Sequence, residues 1–306
     1  MDILKRIIFL LVLIAFDSAA NADADTSRIR LHLRAITKTT GFRTHKDTAL
    51  LNKTAEYIRI IFSLHSDSHS VQTYKAGGME YKNVICSFGT ENKRRIIIGA
   101  HYDVCGLQEG ADDNASGVTG LLELARMLKG QKLKFRVDLV AYSLEEPPYF
   151  RSELMGSYIH AKSLKDNKTD VYGMIALEMI GYFKDEKGSQ TYPVNALSLI
   201  YGKKGNYITL VKKIRAGKFT RKFCKKYKLA NTIKTKKFAA PPSLPGIDFS
   251  DHLNYWKFGY SALMITDTAF FRNKNYHEET DTMETLDLNR MAKVIDGVLD
   301  GLVNMK

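Results

Sequence analysis

The chain has 306 residues, enough for one large α/β domain with a well-buried core. Hydrophobic residues at 44% and charged residues at 26% describe an ordinary soluble globular protein, and three cysteines are too few for a disulfide framework. The formal net charge of +13 comes without a groove-reading motif, which argues against a nucleic-acid partner.

Lys5 and Arg6 precede the apolar run Ile7 to Phe16, and Ala20-Asn21-Ala22 offers a small-x-small cleavage site before Asp23. That order is expected of a secretory signal peptide over residues 1–22, leaving 23–306 as a single exported domain, periplasmic or secreted from a bacterium. The apolar run has ten residues, against the ~20 that a spanning helix needs. An uncleaved anchor is the alternative, and no transmembrane segment is expected in the mature chain. Export leaves at least one of Cys86, Cys105 and Cys224 as a free thiol, the other two being open to a disulfide.

Asp47 to Phe62 repeats Leu50, Leu51, Ala55, Ile58 and Ile61 at helical spacing. Val71 to Tyr74 and Asn83 to Phe88 alternate as strands, parted by Ala76-Gly77-Gly78. Arg95 to Gly99 is a buried strand running into His101. Ser116 to Lys129 is a helix with Ser116 as its cap, Phe135 to Tyr142 a strand, and Met155 to Leu164 a helix. Gly173 to Met179, Leu197 to Tyr201 and Ser261 to Ile265 complete the strands, and Leu286 to Leu302 is a terminal helix. Strands alternating with helices predict an α/β fold: a mixed, mostly parallel sheet with helices on both faces.

Residues 187–247 hold fifteen Lys or Arg and no Asp or Glu, so this stretch accounts for all the excess charge. Within it, Tyr207 to Tyr227 has roughly helical apolar spacing, which predicts a solvated amphipathic helix. The sharper alternative is an electropositive surface for acidic substrates, anionic lipid or envelope polymers. The loop Ala239 to Gly246 is the one Pro-rich break and reads as a stiff wall of the active site.

Five residues with metal-ligand chemistry stand where apolar runs give way to polar turns: His101, Asp113, Glu146, Glu178 and His277. Open α/β sheets gather their sites at the carboxyl ends of strands. His101 is followed by Asp103, a carboxylate able to hold the second imidazole nitrogen. Gly110-Ala-Asp-Asp113-Asn-Ala-Ser-Gly117 is an acidic turn opening a helix, readable as a bridging carboxylate or as a capped helix start. Glu145 and Glu146 repel each other unless a cation or a shared proton relieves them. Glu178 sits in an apolar run and needs a partner, metal or salt bridge. His277, alone, reads as an exposed loop histidine. Summed, Asp113, Glu146, Glu178 and one hydroxide neutralise two divalent cations, with His101 and His277 as neutral donors. Such a donor set favours zinc.

The ordered set Gly99-Ala-His101-Tyr-Asp103, Gly110 to Gly117, Glu145-Glu-Pro-Pro-Tyr-Phe150, Met155-Gly-Ser157, Phe249-Ser-Asp-His252 and Tyr276-His277 resembles the M28 family of zinc peptidases, over about residues 45 to 304. The resemblance is closest to bacterial aminopeptidase-like members whose glutamate pair precedes two prolines. It implies a three-layer peptidase sandwich with two zinc ions acting on peptide substrates. His101 and Glu178 would hold one zinc and Glu146 and His277 the other, with Asp113 bridging. Glu145 would be the general base and Asp103 the partner of His101. Many members carry Asp where this chain has Glu178, so a longer arm must reach the first zinc.

Asp251-His252 is expected to organise the pocket, and Asp281 to orient His277 or cap a turn. Tyr149, Phe150, Phe270 and Phe271 are expected to wall a side-chain pocket or to belong to the core. Cys105 is set aside as a soft ligand, since imidazoles and carboxylates already complete the set. The competing readings are a glutaminyl cyclase-like single-zinc acyltransferase, a carboxypeptidase-like hydrolase and a metal-free binding module.

Overall fold

The computed structural model describes residues 23–305; the expected signal peptide lies outside them. Helix α1 (Thr26–Thr37) starts where Asp25 accepts from the Ser27 amide, and α2 (Thr48–His65) where Asp47 accepts from Leu50. Strands β1 (Ser68–Ala76) and β2 (Met79–Phe88) form a hairpin turned by Gly77 and Gly78, both at positive φ. Then come β3 (Arg95–His101), α3 (Gly117–Leu128), β4 (Arg136–Tyr142), α4 (Gly156–Asp166) and β5 (Val171–Glu178). The carboxyl-terminal half supplies α5 (Leu197–Tyr201), β6 (Ile208–Lys213), α6 (Lys218–Ala230), β7 (Thr235–Ala240), α7 (His252–Lys257), β8 (Ala262–Thr266) and α8 (Leu288–Val303).

The eight strands form one sheet in the order β1-β2-β4-β3-β5-β8-β6-β7. Its centre, β4-β3-β5-β8, is parallel; β2 joins β4, and β6 joins β8, in antiparallel fashion. Successive residues of β3 serve opposite faces. Ile96 and Ile98 pack with α1, α2, α3, α6 and α8, while Ile97 packs with α4 and α7. The result is the mixed, mostly parallel sheet between two helical layers that strand–helix alternation predicts. No helix among the described residues is long and apolar enough to cross a membrane.

Two elements differ from expectation. Leu197 to Tyr201 is a short helix, not a strand, with Leu199 and Ile200 exposed. It has no sheet neighbour to satisfy an extended backbone. The amphipathic stretch Tyr207 to Tyr227 is also not one helix. Its first third, rich in β-branched residues, is β6, and the chain breaks at Arg215 and Gly217, both at positive φ, before α6. Ser116 occupies the cap position of α3 without capping it; its hydroxyl instead donates to the Asp112 carbonyl and accepts from the Ile180 amide. All three cysteines are free, Cys86 and Cys224 being buried, so no disulfide forms.

The chain order places the site. From β3 it moves outward to β4, then returns to β5 on the other side of β3. Connections leaving in opposite directions open a crevice at the carboxyl ends of β3 and β5. Their register pairs Gly99 with Ala176 and, continued, sets His101 level with Glu178. Arg43, in the loop between α1 and α2, ties the rim together. Its buried guanidinium donates to the carbonyls of Tyr102 (2.8 Å), Ile36 (3.0 Å), Glu109 (2.8 Å) and Gly110 (3.1 Å). Lysine cannot reproduce that fork. Arg43→Lys is therefore expected to lose about 2–4 kcal/mol of unfolding free energy through the lost charge-assisted bonds, measured by urea denaturation. An unchanged midpoint would deny Arg43 this clamping role.

Candidate metal centre

His101 ends β3 and Glu178 ends β5, while Glu145 and Glu146 follow β4. Asp113 lies in an irregular π-helical turn, Ala111–Ser116, before α3, and His277 in the loop after β8. These five elements bring all seven sequence-nominated residues into one cleft. His101 Nε2 lies 3.3 Å from Asp113 Oδ1 and 3.5 Å from Glu178 Oε2. His277 Nε2 lies 3.2 Å from Asp113 Oδ2 and 3.2 Å from Glu146 Oε2. The two oxygens of Asp113 thus face two separate imidazole–carboxylate pairs. Glu145 Oε2 stands 3.9 Å from His101 Nε2, outside both pairs.

Backbone contacts fix each donor. Asp103 accepts from the amides of Glu145 (3.2 Å) and Glu146 (3.1 Å) and lies 3.5 Å from His101 Nδ1, so one carboxylate holds the Glu145–Glu146 backbone beside the His101 ring. Asp281 accepts from the amides of Asp112 and Asp113. It therefore holds the acidic turn, rather than the His277 ring. Tyr276 stacks on that ring at 3.8 Å between centroids, and His277 itself sits at φ +61. Asn114, joined to Asp113 by a cis peptide, bonds the Leu177 carbonyl and the Met179 amide, anchoring the turn to the end of β5. Gly117 permits this approach, since a Cβ there would lie 2.4 Å from Asn114 Oδ1 and 2.6 Å from the Leu177 carbonyl.

Several supporting groups were given no role from the sequence. Ser250 donates to Glu178 Oε2 at 2.7 Å, fixing the longer side chain. Asp112, beside Asp113, turns away to accept from the Gly181 amide and from Asn273. Asp267 accepts from the amides of Ala269 and Tyr182. Of the pair expected to organise the pocket, His252 does so, its Nε2 donating to the Ile247 carbonyl. Asp251 is buried with neither carboxylate oxygen in hydrogen-bond geometry; burial, with Glu178 and Asp103 nearby, pushes it up to about 7.

The electrostatics show what the cleft lacks. Burial and the neighbouring carboxylates Glu146 and Glu178 push Glu145 well above the usual range, and burial with Asp113 pushes Glu146 up to about 8. Burial opposes charge on the imidazoles but is outweighed. Glu178 and Glu145 raise His101 well above its ordinary value, and Asp113 and Glu146 raise His277 to about 10. Asp113, between both rings, is held below the usual carboxylate range despite its burial. The imidazoles thus carry the positive charge that the carboxylates demand. Glu146 Oε1, His277 Nε2 and His101 Nδ1 are buried without a hydrogen-bond partner. Clustered nitrogen and oxygen donors, partly unsatisfied and excessively negative, fit divalent cations. His101, Asp113 and Glu178 form one such group, and Glu146 and His277 another with Cys105. In that second group the thiol is pushed up to about 11, first by burial and then by Glu146 and Asp113.

Beside Glu178 opens an apolar cavity walled by Val211, Phe238, Phe249, Met264, Phe270 and Phe271. Pro245 and Gly246 of the Pro-rich loop line it too. Tyr149 and Phe150 do not: Tyr149 packs on His45 and Tyr81, and Phe150 on Phe249.

Known proteins resemble this chain in sequence and in fold. The Escherichia coli K12 protein YfbL is 43% identical over 291 residues, spanning 92% of this chain and 89% of its own length. A probable leucine aminopeptidase of Trichophyton verrucosum is 28% identical over 236 residues, spanning 72% of this chain and 57% of its own. The chain thus covers little more than half of that fungal relative. In fold, LapB of Legionella pneumophila matches with a TM-score of 0.73 at 20% identity, over 92% of this chain and 72% of its own. A Bacteroides thetaiotaomicron glutaminyl cyclase bound to N-acetylhistamine matches with a TM-score of 0.70 at 19% identity, over 93% and 99%. The model of peptidase family M28 matches residues 83–302, which span the whole sheet from within β2 onward, and the chain belongs to that family.

Proposed function

We propose that this M28 peptidase is an aminopeptidase that works with two zinc ions and releases amino-terminal residues from peptides. One observation carries the reading: Asp113 divides its oxygens between His101 and His277, at 3.3 and 3.2 Å, each ring having its own glutamate. A single cation at Asp113, Glu146 and His277 would leave the His101–Glu178 pair without a metal. When bound, the cations supply an acidified water and positive charge for the developing oxyanion.

The protein's own groups do the rest. Glu145 belongs to neither pair, is buried and has a raised pKa, which suits a base that takes the proton of the attacking water and returns it to the leaving amine. Asp103 holds the Glu145 amide, so the base and its neighbour Glu146 keep a fixed relation to His101. The apolar cavity beside Glu178 receives the side chain of the residue released, with an aliphatic or aromatic preference. The name of the fungal leucine aminopeptidase agrees with such a preference. Export, read from residues 1–22, belongs to the same proposal, as does contact of the basic segment with anionic surfaces.

Glutaminyl cyclase-like chemistry is the second reading, because proteins of that name share the fold. It would employ one zinc at Asp113, Glu146 and His277. Metal analysis beside amine release from leucyl anilide separates the two: two zinc ions with release support hydrolysis, one zinc without release supports cyclisation.

Glu145→Gln is expected to bind metal as before while turnover falls by about 10²–10⁴-fold or more; near-normal turnover would remove Glu145 as the base. Acetylating the substrate amine is expected to abolish cleavage, and continued cleavage of blocked peptides would point to another peptidase specificity. Zinc must displace protons from imidazoles whose pKa values are raised, His277 to about 10. Zinc binding at neutral pH should therefore release protons, and affinity should climb as pH rises toward those values. Titration calorimetry in buffers of different ionisation enthalpy reads this, and a buffer-independent heat would contradict the charge assignment.

A further inference from the structure

We propose that Cys105 is a thiolate ligand of the cation held by Glu146 and His277, a donor outside the imidazole–carboxylate set. The proposal rests on the two-cation reading above and extends it. Cys105 lies in the loop leaving β3, opposite Glu146 beyond β4 and His277 beyond β8. Its Sγ, a Glu146 carboxylate oxygen and a His277 ring nitrogen all lie within 4.8 Å of one another. Glu146, 4% exposed, leaves Oε1 without a hydrogen-bond partner, and His277 leaves Nε2 so. Three potential ligand side chains therefore border the same small space, two of them carrying a buried atom without a hydrogen-bond partner.

Donors around one tetrahedral zinc stand about 3.3–3.6 Å apart, given bond lengths near 2.0–2.3 Å. Cys105 is only partly buried, so its side chain has room to change rotamer toward that spacing. The loop itself is anchored. The Val104 amide donates to the Arg43 carbonyl at 3.0 Å, while the Arg43 side chain binds the carbonyls of Tyr102, Glu109 and Gly110. Cys105 is thus held at the site by both ends of its loop. Cys86, in β2, and Cys224, in α6, are buried in the apolar core. On coordination the S–H bond breaks, a metal–sulfur bond forms and the proton passes to solvent; no oxidant or reductant takes part.

The consequence is asymmetry. The His101–Glu178 position offers only nitrogen and oxygen, whereas the Glu146–His277 position gains a soft donor that favours zinc, cobalt or cadmium over manganese or magnesium. The test is titration of the metal-free chain with cobalt(II), followed by absorption. Wild type is expected to develop both the visible ligand-field bands and an intense near-ultraviolet sulfur-to-cobalt band. Cys105→Ser should keep the former and lose the latter, and Cys224→Ser should keep both. Ligand-field bands without a sulfur band in wild type, or a sulfur band persisting in Cys105→Ser, would overturn the assignment while leaving the two-cation reading intact. The absence of both kinds of band would overturn both.

Discussion

The structure turns on a concentration of negative charge that apolar surroundings do not tolerate alone. Asp103, Asp113, Glu145, Glu146, Glu178 and Asp251 are all buried within one cleft, against two imidazoles. Removing a carboxylate from water costs several kcal/mol unless it is paired or protonated. Two of the six are compensated by the main chain or a hydroxyl, Asp103 by two amides and Glu178 by Ser250. The raised pKa values of Glu145, Glu146 and both histidines express the remaining deficit of positive charge. On the proposed reading that deficit is the binding energy for metal, because cations replace the protons that the cleft otherwise has to retain.

Such a cleft can exist only if its walls cannot spread apart. Like charges would separate if the strand ends were free to move, and several polar clamps prevent it. Asp103 joins the ends of β3 and β4, Asn114 joins the acidic turn to β5, and Asp281 joins that turn to the loop of His277. Arg43, in the loop after α1, ties the end of that helix to the outer rim. These clamps run from side chain to backbone, so they hold the strand ends and the acidic turn in fixed positions. The apolar sheet beneath supplies the rigidity, with Ile97, Val140, Met174 and Ala176 packed on one face and Ile98, Leu139 and Ile175 on the other.

The parts of this arrangement readable in advance are those where a strand's apolar run stops at a ligand. Arg95 to His101 and Gly173 to Glu178 announce both an element and a donor, because a fully buried parallel strand has little polar content of its own. The clamps were not readable. Arg43 is one arginine in a polar loop, and its four carbonyl partners come together only in the folded chain. Asp281 shows how far spacing goes: four residues after His277 it suggests either a ring partner or a cap, and the fold takes the second, its carboxylate accepting from the amides of 112 and 113. In the basic segment, lysines between apolar residues imitate a helical face, while the β-branched run of β6 answers to pairing with β8, a distant neighbour in sequence.

Glu178 joins the two halves of the proposed mechanism. Its carboxylate faces His101, and the same residue lines the apolar cavity. An aspartate at the end of β5 would reach less far and would not extend to Ser250 from the same backbone position. The extra methylene lets the carboxylate take a hydroxyl from the loop that also carries Phe249, one of the cavity walls. On the proposed reading, side-chain recognition and cation position would share a structural element, and a substrate side chain pressing on Phe249 would bear on the Ser250 contact and, through it, on the Glu178 donor. Selectivity in such a site is exercised on the catalytic geometry as well as on the volume of the pocket.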